Sequence, residues 1–148
     1  MEPLAIAMIC DEIRLEANGK PFIIGVYQQQ IIFPALPATV PQLIVVTTLF
    51  SDIRNPITQY TVNITGPGIN LSHEVGPVEL PPNPFSDATR AEVSGIIPIR
   101  PFAVTEPGVL DIIVKFAGGE TRARRTLIVS AATQEVGSAE QNETKILH

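Results

Sequence analysis

Residues 4–27 read LAIAMICDEIRLEANGKPFIIGVY, and this stretch decides the fold class. Ala17-Asn18-Gly19-Lys20 lies between its two apolar halves. Asn-Gly is the strongest two-residue hairpin signal, because both central residues of a type I′ turn need positive φ. Both halves alternate with a period of two, the spacing of a strand with one buried face. Folding about Asn18-Gly19 sets Leu15 opposite Phe22 and Ile13 opposite Ile24, two apolar pairs on one face. The first strand is therefore expected from about Leu4 to Leu15, and the second from Phe22 to about Phe33 through Gln28-Gln29-Gln30. In the first strand the inward set reads Leu4, Ile6, Met8 and Cys10, then Ile13 and Leu15. That change of parity at Asp11-Glu12 predicts a β-bulge or bend. Gly25, between Ile24 and Val26, predicts a bulge or a close backbone contact.

The same period carries through the chain. Pro34, Pro37 and Pro41 hold an extended crossing segment, where no ladder donor is needed. Leu43 to Phe50 is apolar on both faces and predicts a central strand. Tyr60, Val62 and Ile64 alternate with Thr61, Asn63 and Thr65. After Gly66-Pro67-Gly68, Ile69, Leu71 and Val75 are expected to face in. Residues 76–90, with Pro77, Pro81, Pro82 and Pro84, form the longest irregular segment. Ala91 to Ile99 is a sixth strand, and Leu110, Ile112, Val114 and Phe116 mark a seventh. Gly118-Gly119 turns the chain into an eighth, from Thr121 to Val129. Seven to eight strands, turn signals every 8–15 residues and no convincing amphipathic helix predict an all-β fold. The expected form is an antiparallel β-sandwich, immunoglobulin-like in the broad sense, with a β-barrel as the alternative. Residues 1–130 form one domain. Residues 131–148 are polar and without period, a tail expected to be disordered.

Totals bound the function. Across 148 residues, 45% are hydrophobic and 17% charged, with 14 Pro and 10 Gly. A chain this apolar buries enough surface to offset its ordering entropy. The net charge is −5, which argues against a general nucleic-acid binder. Cys10 is the single cysteine, so no intramolecular disulfide framework exists. The N-terminal apolar run is short, lacks a basic n-region and stops at Asp11-Glu12, so it reads as neither a signal peptide nor a membrane span. A cytoplasmic bacterial protein is expected, with no membrane partner. The sequons at Asn63, Asn70 and Asn142 read as chance in that setting.

Residues with catalytic chemistry are scarce. Of the two histidines, His148 is terminal and His73 falls on an inward strand phase, where a structural role is expected. One strand histidine and one cysteine do not make a zinc cage, and no cofactor is expected. Cys10 with His73 would supply a nucleophile and a base, but a thiol in an apolar strand is inert. The segments GPGIN, EPG and AGGE are turns rather than phosphate loops, since none opens a helix. Asp11 and Glu12 read as a solvated kink, with a weak cation site as the alternative.

The most informative polar feature lies in the last hairpin, LDIIVKFAGGETRARRTLIV (110–129). Pairing about Gly118-Gly119 sets Lys115 opposite Arg122 and Ile113 opposite Arg124, away from the core. Arg125 falls on the inward phase opposite Ile112, so a bulge, a buried carboxylate or an open sheet end is required there. The plain reading of these charges is an edge kept from pairing. The functional reading is a basic strip, Lys115, Arg122, Arg124 and Arg125, that engages an acidic partner.

The opening PLAIAMICDEI, the following NGKPFIIGVYQQQIIF, the prolines before LIVVTTLF and the closing EPGVLDIIVKFAGGE together resemble a family of short bacterial proteins of unknown function. In that pattern an N-terminal strand ends in a Cys-Asp-Glu-like step, and a turn leads to a strand in which Ile23-Ile24-Gly25-Val26-Tyr27 stand here. The resemblance runs to about Val129. It implies a β-sandwich and assigns no functional residue.

The leading expectation is a non-enzymatic interaction or structural module with a protein partner or a second copy of itself, self-association through an edge strand being one form. The alternative is a carrier or sensor with a small apolar ligand between its sheets. An enzyme would need convergent polar groups that the strand pattern does not offer.

Overall fold

The computed structural model describes residues 1–131; the rest of the expected polar tail lies outside the described residues. Eleven strands follow in order: β1 (Leu4–Leu15), β2 (Pro21–Tyr27), β3 (Gln30–Phe33), β4 (Ala38–Val40), β5 (Leu43–Asp52), β6 (Tyr60–Gly66), β7 (Ile69–Val75), β8 (Arg90–Ile99), β9 (Phe102–Val104), β10 (Gly108–Phe116) and β11 (Gly119–Ser130). One sheet has the order β2-β1-β5-β8 and a second the order β3-β11-β10-β6-β7, while β4 and β9 pair separately. None of the three closes into a barrel, so the fold is an all-β sandwich. The pairings are antiparallel except for β3 with β11, which run parallel.

Between the sheets sits one continuous core. Ile9, Leu43, Val45, Leu49, Val93 and Ile97 come from the first sheet. Val62, Ile64, Leu110, Ile112, Val114 and Ile128 come from the second. Phe102 closes one end, stacked on Phe33 with ring centroids 6.2 Å apart. Two polar groups enter this core fully satisfied: the Tyr60 hydroxyl meets the Thr47 hydroxyl at 2.9 Å and donates to the Val93 carbonyl at 3.1 Å. Such pairing removes the penalty that a buried hydroxyl would otherwise carry.

The doubly apolar β5 lies in the middle of its sheet, between β1 and β8, as its sequence predicts. Three expectations are corrected. The predicted second strand divides at Gln28-Gln29: β2 stays with β1, and β3 crosses to the other sheet beside β11. The first hairpin is one residue out of the predicted register, with Leu15 opposite Pro21, Arg14 opposite Phe22 and Ile13 opposite Ile23. The cause is the turn. Only Gly19 takes positive φ, Gly19 N donates to Glu16 O at 2.8 Å, and Glu16 N donates to Lys20 O at 2.9 Å. This is the longer loop that ends in a left-handed glycine, not a two-residue type I′ turn. The third correction concerns β1. Its core face is Ala5, Ala7 and Ile9, while Leu4 and Ile6 point outward. No bulge separates Cys10 from Glu12 along β2, because Cys10 pairs with Val26 and Glu12 with Ile24 in one register. The apparent change of parity arises because both faces of β1 are apolar.

Candidate functional site

The even-numbered residues of β1, β2, β5 and β8 build one outer sheet face. Register fixes its rows. Val26, Cys10, Ile44 and Pro98 cross all four strands; Met8, Val46 and Ile96 form the next row. Ile6, Thr48 and Ser94 follow, then Leu4, Phe50 and Glu92. The Thr48 and Ser94 hydroxyls bond each other at 2.9 Å, so their polar atoms are spent within the face. Leu4, Ile6, Phe22, Val26 and Ile96 are 45–54% exposed. Strand spacing and rise make the apolar part roughly 400 Å² in plan, the size of the largest apolar patch on a typical monomer, which is often functional. An antiparallel sheet solvated on one side would carry polar residues at these positions.

Charge is confined to the two ends. At one end Arg14 pairs with Glu12 at 3.2 Å, and Arg100 Nε donates to Gln42 Oε1 at 2.7 Å. At the other, Arg90 lies over the Phe50 ring, 4.9 Å from its centroid, beside Glu92. Beyond Cys10, β1 leaves β5 and pairs with β2 alone, so the hairpin projects as a two-stranded arm. Leu15 at its end is 72% exposed.

Where the arm begins, Asp11 faces Gly25, whose φ of 70° is left-handed. A Cβ on Gly25 would collide with the Asp11 carboxylate, so the close contact read from the sequence is with a side chain. Tyr27 donates its hydroxyl to Asp11 Oδ1 at 2.5 Å. Burial, then that hydrogen bond and the Asp11 charge, push the Tyr27 phenol up to about 12. Asp11 and Glu12 thus serve different partners on opposite faces, not a common cation. Cys10 is fully buried, and burial raises its thiol above the ordinary value, the state of an unreactive cysteine. His73 stands half-buried opposite Val62, on the inward phase.

Of the four residues of the expected basic strip, Lys115, Arg122 and Arg125 lie on the outer face of the β10–β11 pair, while Arg124 is turned to the other side. Lys115 faces Glu120, not Arg122, with the charges 4.0 Å apart. Arg122 Nε bonds Asp111 Oδ1 at 2.9 Å. The register shifts between Ile112 and Ile113, leaving Ala123 as the extra residue of β11. That bulge turns Arg125 outward opposite Asp111 and carries Arg124 inward opposite Ile112. Arg124 then bridges the sheets, donating to Tyr27 O at 3.0 Å, Ala7 O at 3.3 Å and Thr126 Oγ1 at 2.9 Å. Its role is to tie β11 to β1 and β2. Among the described residues no group of three or more His, Cys, Asp or Glu is placed to hold a metal ion. Clefts of about 630 Å³ and 580 Å³ share Met1, Asp52 and Arg54 in their linings, and another of about 500 Å³ is lined by Ile53, Leu80 and Pro84. No helix of the described residues is long and apolar enough to cross a membrane.

The outer face carries no charged motif, and its signal in the sequence is that β1, β2, β5 and β8 have apolar residues at both parities. Residues 5–130 match the model of DUF6941, a family of unknown function. No curated protein and no solved structure matches the chain. The chain belongs to the DUF6941 family.

Proposed function

We propose that this DUF6941 member is a non-enzymatic interaction module whose working surface is the outer face of the β2-β1-β5-β8 sheet. One observation carries the reading: an apolar face with charge only at its ends, about half exposed at Leu4, Ile6, Val26 and Ile96 although Cys10 and Ile44 within it are buried, lies on a sheet whose other face already forms the core. Leaving it in water costs about 25 cal/mol per Å², so a face of this size favours association by several kcal/mol before ordering costs. The strand orders β1-β5-β8 and β7-β6-β10-β11 support an immunoglobulin-like scaffold, corresponding to orders A-B-E and C′-C-F-G. A single buried cysteine favours a reducing compartment, and a bacterial cytoplasm is the proposed setting.

The test is thiol labelling in the cells that make the protein. Ile96→Cys places a thiol within the face, and Ser72→Cys places one on the exposed side of the other sheet. Cys10 is buried and serves as the silent background. The Ile96→Cys thiol should react far more slowly than Ser72→Cys in intact cells and equally fast after denaturation. Equal rates in cells would remove the reading.

A further inference from the structure

The ends of the apolar face differ in charge, and the difference is arranged symmetrically along one strand. On β8 the outward residues run Arg90, Glu92, Ser94, Ile96, Pro98, with Arg100 following the strand, and Arg90 is engaged over the Phe50 ring. Glu92 and Arg100 are each four residues from Ile96, on opposite sides. Among the described residues neither meets an opposite charge; Arg100 is held by the neutral Gln42 amide. A two-fold axis lying across the strands, over the row Met8–Val46–Ile96, would lay each end of the face on the opposite end of a copy. Arg100 of each chain then stands over Glu92 of the other, and Ile96 meets Ile96 on the axis. The apolar rows between them stack as two sheets of a sandwich do. At roughly 400 Å² in plan per copy, two copies cover roughly 800 Å² in all, the low end for an interface, where the matching of the charged ends decides the pairing.

Resting on the proposed reading of this face, we infer that its partner is a second copy of the same chain, packed face to face about that axis. The interface is isologous: each residue contact occurs twice, except on the axis, where a residue meets itself. Association therefore uses the sheet face, not the edge strands.

Gel filtration with light scattering, on the full chain over a concentration series, provides the first test. The wild type should be a dimer. Arg100→Glu should raise the dissociation constant about tenfold or more, because two like-charge pairs replace two opposite ones. Adding Glu92→Arg to Arg100→Glu should restore the dimer, which a merely damaged fold would not do. A short bismaleimide should then join two Ile96→Cys chains but not two Leu4→Cys chains, whose positions lie about 27 Å apart across the axis. A wild-type monomer at every concentration overturns the inference. So does a dimer indifferent to both charge variants, or one cross-linked through Leu4→Cys and not Ile96→Cys. If the purified chain is a monomer while Ile96→Cys stays protected in cells, the face binds another molecule, so this inference fails and the reading of the face as an interaction surface stands.

Discussion

Gly25 and Asp11 face each other where the β1–β2 arm leaves the sandwich, and each residue dictates the other. The left-handed φ of Gly25 strains any L residue, and its missing side chain is the space the Asp11 carboxylate occupies. Gly25→Ala should cost about 1–3 kcal/mol in urea unfolding. Asp11→Ala in the same chain should recover only the steric part. The tyrosines give a second test at this scale. Burial raises Tyr60, as burial and the Asp11 hydrogen bond raise Tyr27, so the folded chain holds both phenol protons to higher pH than the unfolded chain. Unfolded tyrosine titrates near pH ~10. Stability from these groups is therefore whole below that pH and is lost as pH rises through about 12, the Tyr27 value. Phenolate absorbance of the native protein should stay low to about pH 11 and then rise together with unfolding. Titration of either tyrosine at its ordinary pKa in the folded protein would contradict the burial described.

At the scale of elements, β11 carries the clearest contrast between neighbours. Arg124 donates to two backbone carbonyls of the opposite sheet, whereas Arg125 is exposed. Arg124→Leu should cost about 1–3 kcal/mol, since the acceptors lose their donor while half-buried. Arg125→Glu should change stability by less than about 0.5 kcal/mol. Equal effects would show that the Ala123 bulge is misplaced. The strands were legible where turn chemistry and one-sided alternation agreed: β6 and β7 about Gly66-Pro67-Gly68, β10 and β11 about Gly118, and β5 from its two apolar faces. Register was less legible. Glycine at a turn announces positive φ but not the loop length, and one residue of difference re-pairs a whole hairpin. The inward face of β1 was not legible from size. Leu4, Ile6 and Met8 are larger than Ala5 and Ala7, yet the small residues face in, and at Ala7 the Arg124 guanidinium reaches between the sheets to the backbone carbonyl. That contact joins residues far apart in the chain, and no local pattern contains it.

For the whole molecule, the two faces of one sheet obey different rules. Ile96 and Ile97 are adjacent on β8, one 52% exposed and the other 1%. In dilute solution Ile97→Ala should destabilise the domain by about 2–5 kcal/mol, through lost transfer energy and a cavity. Ile96→Lys should leave the dilute domain within about 0.5 kcal/mol of wild type and abolish its self-association. A family match with no assigned activity leaves the physical surface as the guide to role, and this surface is apolar and broad. The most direct measurement is the rate at which Ile96→Cys in the purified chain reacts with a water-soluble maleimide, followed from dilute to concentrated protein. The rate should fall as concentration rises, while that of Ser72→Cys stays constant. An Ile96→Cys rate that matches Ser72→Cys and does not change with concentration would contradict a face covered by a second copy.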